Sequence, residues 1–414
     1  MRVTFLTHYY PPEVGAPQSR ISALAGRLAE AGVAVTVHTG FPHYPDGRVK
    51  PPYRVRPWQM ERRGGVRVVR SAVYPAPNRG FVRRLAGHAS FAASAVATAR
   101  LAGKADVVVA ESPPLFVAAA GVPYAVLCGA GLVVNVADRW PASAVELGAL
   151  RSRAAIRAAE ALERACYRSA SAVTVPTEGL ARELAALPDA EGKVVRVGPT
   201  VATGRFANVG PRNASGPLRI LYAGTVGLAQ GVDTLVEAAR ITGVDVEVWI
   251  AGDGAEAPRL RDQLRDERRT NVRFLDAVPH EEVPKLYEQA DVAVVLLRDR
   301  PIFDGALPTK LLEAMAAGRP VLLSARGESA RLVENARAGV VVPPEDPGAL
   351  ADAIALLDSD RGRLAGLGAA GRAYVGRRFE WSNTVERWAE LLERVALRPR
   401  TRRARASSSP HRAD

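Results

Sequence analysis

The sequence predicts an α/β protein built of two doubly wound parallel-sheet domains that face each other across a cleft. Three observations predict it. The unit strand, Gly-containing loop, amphipathic helix, strand opens the chain (RVTFLTHYY, PPEVGAPQSR, ISALAGRLAEAG, VAVTVHTG), and that order is the building block of a parallel sheet. The same alternation restarts after the polar stretch GPRNASGP. The length, 414 residues, suits two domains of ordinary size, each with its own core.

In order along the chain, the N-terminal half places further buried strands at ADVVVAES, GLVVNVAD and SAVTVPT. The apolar run from Leu115 to Ala137 contains Pro123 and several glycines and ends near Asn135 and Asp138, so it predicts a buried helix followed by a buried strand instead of a membrane span. The second half reads PLRILYAGTVG (strand, loop), GVDTLVEAARI (helix), VDVEVWIAGDGA (strand, loop), APRLRDQLRDE (helix), NVRFLDAV (strand), HEEVPKLYEQA (helix) and DVAVVLL (strand). We set the domains at 1–209 and 210–376, a C-terminal helix at 377–397 packing back on the first domain, and a basic disordered tail at 398–414. In open parallel sheets ligands collect at the carboxyl ends of strands, where the Gly-rich turns of this sequence fall.

Apolar residues make up 48% of the chain, which marks a globular protein. Cys128 and Cys166 lie in apolar or helical sequence and predict core thiols of a reducing compartment. MRVTFLTHYYPP has no sustained apolar run before its prolines, so no signal peptide is read and a cytoplasmic location is expected. The net charge of +13 is one-sided: from Gly47 to Ala105 thirteen Lys and Arg stand against the single acid Glu61. Such charge attracts nucleic acid or an anionic membrane. No nucleic-acid-binding motif accompanies it, and nucleic acid is excluded as a partner. The predicted helix from Phe81 to Leu101, with Arg79, Arg83 and Arg84 before its apolar body, fits either a helix at a membrane surface or an ordinary domain helix with solvated arginines.

RDRPIFDGALPTKLLEAMAAGRPVL, from Arg298 to Leu322, carries the chemistry. Thr309 stands where a helix cap is expected, but Leu312 follows three residues later, so Glu313 is not the reciprocal partner of a capping box. A helix of about two turns ending at Gly318 places Lys310 and Glu313 on one face, beside an N-terminus whose amides suit an anion. Lysine suits phosphate, and a carboxylate accepts from the paired hydroxyls of a ribose. The loops AGTVG (with Gly224 and Thr225) and AGDGA (with Gly252, Asp253 and Gly254) let backbone come close to a ligand. Together these residues match the needs of a nucleotide diphosphate. The D-x-D of Asp358-Ser-Asp360 reads as a solvated turn, so neither metal nor other cofactor is expected.

GALPTKLLEAMAAGRPVL followed by GVVVPPEDPGALADAI resembles the donor segment of the retaining GT-B glycosyltransferases of family 4. THYYPPEVGAPQSR, TGFPHYPDGR, ESPPLF and NVADRWPASAVELGAL resemble the subgroup that transfers acetamido sugars such as N-acetylfucosamine in surface-polysaccharide assembly. The similarity runs from Met1 to about Trp388. It implies two Rossmann-like domains and a nucleotide-sugar donor, with UDP as the expected nucleotide.

By position, the resemblance implies that Glu313 holds the ribose, Lys310 and the amides around Ala306 and Leu307 hold the diphosphate, the Asp276 to Val278 backbone meets the base, and Gly15 leaves room for the donor phosphate. The first carboxylate of the family's E-x7-E pair falls at Gly305, and the family's diphosphate-binding Arg and Lys fall at Thr225 and Gln230, so Lys310 is expected to carry a larger share. On the acceptor side the family's usual His is replaced, leaving Asp138 as the nearest ionisable group, a catalytic candidate that a helix-capping role would equally explain. His8, Glu13, Arg20 and Ser112 are the other acceptor-side candidates. The resemblance implies retention through front-face departure, onto a sugar or polyprenyl-linked acceptor. A sugar-nucleotide epimerase and an inactive nucleotide-sugar-binding protein are the alternatives.

Overall fold

β-Branched residues fill the strand segments because their side chains pack well on a pleated surface covered on both faces. The computed structural model describes residues 1–397 apart from positions 14, 78–80, 147, 211, 213–215 and 266–270. The predicted tail at 398–414 and the Arg79 assigned to the membrane lie outside the described residues. The first sheet contains β1 (Arg2–Leu6), β2 (Ala34–Gly40), β3 (Trp58–Arg63), β4 (Val66–Ser71), β5 (Val107–Ser112), β6 (Gly131–Val136), β7 (Ala172–Val175) and β8 (Val194–Arg196). Their spatial order is β3-β4-β2-β1-β5-β6-β7-β8, and every pairing is parallel except that of β3 with β4. The order reverses direction between β1 and β5, the switch point at which α/β folds place their ligands.

Helices α1 (Ala16–Glu30), α2 (Phe81–Ala97), α3 (Leu115–Cys128), α4 (Ala142–Glu146), α5 (Arg153–Ser169) and α6 (Glu178–Ala185) connect these strands. The first helix starts at Ala16, more than a turn before the predicted ISALAG segment, with Pro17 in its first turn, where a fixed φ and a missing N–H cost nothing. The apolar run from Leu115 forms α3 and β6 as expected, with Pro123 inside the helix. Among the described residues no helix is long and apolar enough to cross a membrane. Both cysteines are free, Cys166 being buried.

The basic region does not form one charged face. Gly64 and Gly65, both at positive φ, turn β3 back on β4 in a hairpin that the sequence reading did not identify; two-residue hairpin turns favour such conformations. Arg70 of β4 is fully buried, donating to Gly40 O, Pro11 O and the Glu61 carboxylate under the ring of Tyr53. Arg67 donates to the carbonyls of Leu101 and Ala102. These two arginines brace the domain and are removed from any membrane-facing set. Phe91, in the apolar body of α2 that a membrane-surface helix would turn to lipid, is fully buried in the core between α2, α3 and the sheet.

The second sheet, β9 (Leu218–Ala223), β10 (Val246–Ala251), β11 (Val272–Leu275), β12 (Val292–Leu296), β13 (Val321–Ser324) and β14 (Gly339–Val342), is parallel throughout in the order β11-β10-β9-β12-β13-β14. Helices α7 (Val232–Ile241), α8 (Ala257–Arg265) and α12 (Pro347–Ser359) cover one face, and α9 (Val283–Glu288), α10 (Thr309–Ala316), α11 (Gly327–Ala336) and α13 (Leu364–Arg378) the other. The last helix, α14 (Trp381–Leu397), crosses back to the first domain: Trp381, Trp388, Leu391, Leu392 and Val395 share a core with Phe5, Ile21 and Leu24, and the Trp388 and Phe5 rings lie 6.3 Å apart. Trp388→Phe should cost about 1–2 kcal/mol through lost buried volume, read as a lower urea midpoint with unchanged slope; an unchanged midpoint would show that this helix adds nothing to the stability of the first domain.

Candidate active site

Helix α10 begins at Thr309, with Pro308 as its N-cap and no side-chain cap hydrogen bond, so Thr309 does not take the capping role expected of it. The chain leaves the helix through Gly318 at positive φ, before Pro320 and β13. Lys310 sits in the first turn. Its Nζ donates to Tyr222 Oη at 2.5 Å and stands 4.2 Å from the centroid of that ring, while Tyr222 Oη donates to Thr225 O. Gly224, at φ +140, makes this possible: a Cβ there would lie 3.0 Å from Lys310 Cε and 3.1 Å from Nζ. Part of the side chain stays accessible, but the ammonium end is wrapped by protein, and burial pulls its pKa down to about 7 against the opposing pull of Glu313.

Glu313, one turn on, accepts from His280 Nε2 at 2.8 Å. Arg205 Nη1 lies 2.5 Å from His280 Nδ1. Because an ionised carboxylate only accepts, the bond to Glu313 places the ring proton on His280 Nε2, and the guanidinium stands against both nitrogens of that ring, 3.0 Å from Nε2. The carboxylate expected to hold a ribose is therefore held by His280, which itself contacts Arg205 of the segment that joins the domains. Its second oxygen has no hydrogen bond among the described residues.

The Gly-rich loops differ from expectation. A Cβ on Gly252 would fall 1.9 Å from Gly224 O, and one on Gly254 2.3 Å from Val226 O. These glycines let the two loops approach each other, and so position Gly224 under Lys310. Gln230 closes its own turn by accepting from Gly227 N at 3.1 Å. Asp253 faces Arg261 at 3.7 Å on the surface. The Ala306 amide donates to Phe303 O at 2.9 Å and is not free for a diphosphate, whereas the Leu307 amide has no partner among the described residues. Val278 lies in the loop after β11, beside the exposed Asp276.

On the first domain, Glu13 is a loop staple: its buried carboxylate accepts from the amides of Tyr10, His43 and Tyr44. Burial raises its pKa while those amides oppose the shift. Arg20 pairs with buried Glu111 at 2.8 Å, which also accepts from Thr7 Oγ1. Ser112 ends β5 with its side chain buried. His8 is buried among the rings of Tyr9, His43, His88 and Phe91; its Nδ1 has no partner among the described residues, and burial first, then His88 and His43, hold it neutral. Asp138, an exposed residue, accepts from Ser143 and from the Arg139 amide ahead of α4, and the protein packed around its carboxyl raises its pKa. That is the anchoring role, and no hydrogen bond or ion pair joins it to Lys310 among the described residues. Gly15 is the extended residue before α1, where a Cβ would meet Gln18 Oε1, which has no partner among the described residues, at 2.5 Å.

The partners that sequence reading missed are Tyr222, His280 and Arg205. Tyr222 is a strand residue with no motif around it. The HEE that follows Val278 was legible only as a helix start.

Two family models match the chain: a glycosyl transferase 4-like domain over residues 15–200 and glycosyl transferases group 1 over residues 217–360. The D-inositol 3-phosphate glycosyltransferase of Corynebacterium urealyticum is 30% identical over 42% of the chain, which spans only 40% of that relative's length. The Escherichia coli K12 protein named for colanic acid biosynthesis, glycosyl transferase WcaI, is 25% identical over 92% of the chain and 96% of its own. Among solved structures, sucrose-phosphate synthase from Thermosynechococcus elongatus superposes with a TM-score of 0.75 at 21% identity, over 95% of the chain and 98% of that structure. Anabaena HepE in complex with UDP superposes at 0.67 with 17% identity, over 95% and 100%. At these identities the superpositions establish the fold, two Rossmann-like domains of GT-B type.

Proposed function

From the premise that this chain joins a glycosyl transferase 4-like domain to a group 1 glycosyl transferase domain, we propose that it is a retaining glycosyltransferase of polysaccharide or glycoconjugate assembly. It moves an acetamido or deoxy sugar from a UDP-linked donor to a hydroxyl of a polyprenyl-diphosphate-linked acceptor. The observation that carries this reading is the pairing on α10 of a desolvated Lys310 with a Glu313 oriented by His280. One group suits a diphosphate and the other a ribose. The colanic acid name of one relative and the UDP in one structural neighbour support the product and donor classes.

As proposed, the bond between the anomeric carbon and the leaving phosphate oxygen breaks as the acceptor oxygen attacks from the same face, and the acceptor proton passes to the leaving diphosphate. Lys310 stabilises the charge that develops on that diphosphate, the kind of preorganised electrostatics that dominates many enzymes. Neither metal nor cofactor is assigned a step.

The acceptor places the enzyme at an anionic leaflet. Val82, 77% exposed, the exposed Arg83 and the half-buried Arg84 of α2 are the described groups offered to it, in place of the buried Phe91; each surface Arg or Lys adds about 1 kcal/mol of attraction. The test incubates the protein with UDP-sugars, with and without the lipid-linked acceptor on anionic or neutral vesicles. Acceptor-dependent UDP release, retained anomeric configuration in the product and salt-sensitive cosedimentation with anionic vesicles are expected. Acceptor-independent interconversion of donors would make the protein an epimerase, binding without turnover a nucleotide-sugar-binding protein, and transfer without vesicle binding would remove the membrane role.

A further inference from the structure

Glu328 lies at the start of α11, far in sequence from Lys310's loop on one side and from the first domain on the other, and it touches both. Its amide donates to Asp304 O at 2.6 Å, and the hydroxyl of Ser329 next to it donates to Ala306 O at 2.6 Å. Gly327, at φ +71, allows that approach, since a Cβ there would fall 2.0 Å from Asp304 O. The α11 start thus holds the carbonyls of the loop that delivers Lys310. The Glu328 carboxylate reaches the other way, across the cleft: Oε2 accepts from the Gly179 amide at 2.8 Å and Oε1 from the Glu178 amide at 3.1 Å. These are first-turn amides of α6, where the helix dipole favours a negative charge. Beside this bridge the two backbones nearly meet. A Cβ on Gly179 would lie 2.4 Å from Gly305 Cα, and one on Gly305 would be tight against Gly179 at 3.1 Å. The close approach accounts for the glycine at 305.

We propose that Glu328 is a positioning residue that couples closure of the cleft to the placement of the donor loop, with Gly179 and Gly305 as the glycine pair that lets the domains dock. It does not touch the reacting atoms. It acts by fixing residues 304–307, and through them Lys310, in register with the first domain that holds the acceptor. This role rests on the glycosyltransferase reading, but the docking itself does not.

Gly179→Ala separates docking from stability, because alanine inside a helix favours the helix. If the contact plays no part, alanine predicts an equal or higher melting temperature and unchanged kinetics. Docking predicts an unchanged or higher melting temperature, a larger radius of gyration by solution X-ray scattering, and kcat lower by about 10-fold, within the usual range of coupling between sites. UDP affinity should stay close to wild type, since Lys310 and Glu313 are untouched. Glu328→Ala should expand the protein in the same way, and Glu328→Gln, which keeps an acceptor of the same reach, should recover part of the loss. Scattering is measured without donor, so expansion without any turnover would keep the docking and remove only the catalytic reading. A Gly179→Ala protein with wild-type scattering and kcat, or a Glu328→Ala protein whose UDP affinity falls as far as its kcat, would overturn the proposal.

Discussion

Lys310→Ala is expected to slow sugar transfer by about 10²- to 10³-fold, the range found when one stabiliser of developing charge is removed. At an effective dielectric near 20, a cation about 4 Å from a phosphate is worth roughly 4 kcal/mol before desolvation, and neither Thr225 nor Gln230 brings a charge that would share the load. The pH dependence gives a second, independent readout. With its pKa held down to about 7 by burial, the amine is already charged below that value and largely neutral above it. A diphosphate favours the charged form and raises the pKa, so binding at pH 8 must take up about one proton, while binding at pH 6 takes up almost none. UDP affinity should therefore fall as pH rises through 7 and beyond. Calorimetry in buffers of different ionisation enthalpy measures the uptake directly, and it should vanish in Lys310→Ala. Near-wild-type turnover in that variant, or pH-independent proton uptake, would remove Lys310 from the diphosphate.

Glu313→Gln is expected to weaken donor binding by about 10- to 100-fold, since hydrogen bonds to an ionised acceptor are worth more than neutral ones. The structure sharpens this result. Wild-type Glu313 already accepts from His280 with one oxygen, leaving the other for a hydroxyl. An amide retains a single, uncharged accepting oxygen, so either His280 Nε2–H or the ribose diol loses its carboxylate acceptor. Glu313 is partly accessible and its partner is a surface histidine, so the melting temperature should move little. Isothermal titration with UDP and thermal unfolding distinguish the two outcomes: lost stability with intact UDP affinity would make Glu313 structural.

Legibility followed the range of the interaction. Lys310 and Glu313 were readable because residues three apart on a helix share a face whatever surrounds them. The buried helix and strand after Leu115 were readable because Pro123 and the glycines rule out an uninterrupted span. By contrast, the Ala306 amide is taken by Phe303 O, which leaves only Leu307 of that pair to a ligand, and the Glu13 carboxylate is taken by three backbone amides. The hairpin from Trp58 to Ser71 carried its signal in Gly64-Gly65 but was obscured by the density of arginines around it.

By itself, then, the sequence determined the α/β periodicity, the repetition that makes two domains, the glycine turns at strand ends, and the helix face with its lysine and carboxylate. All of these depend on neighbours within a few residues. Only the tertiary structure decided the chemical state and use of those groups. Tyr222, 88 residues before Lys310, forms the wrapped site in which burial lowers the amine's pKa. His280, 33 residues before Glu313, orients the carboxylate. Packing buries Arg70, which charge alone assigns to the surface, and Phe91, which would face lipid if α2 lay on a membrane. Glu328 meets the Glu178 amide 150 residues away. Such partners are chosen when two sheets and their covering helices pack, because desolvation and hydrogen-bond geometry depend on which distant surfaces exclude water together, and no local pattern carries that information.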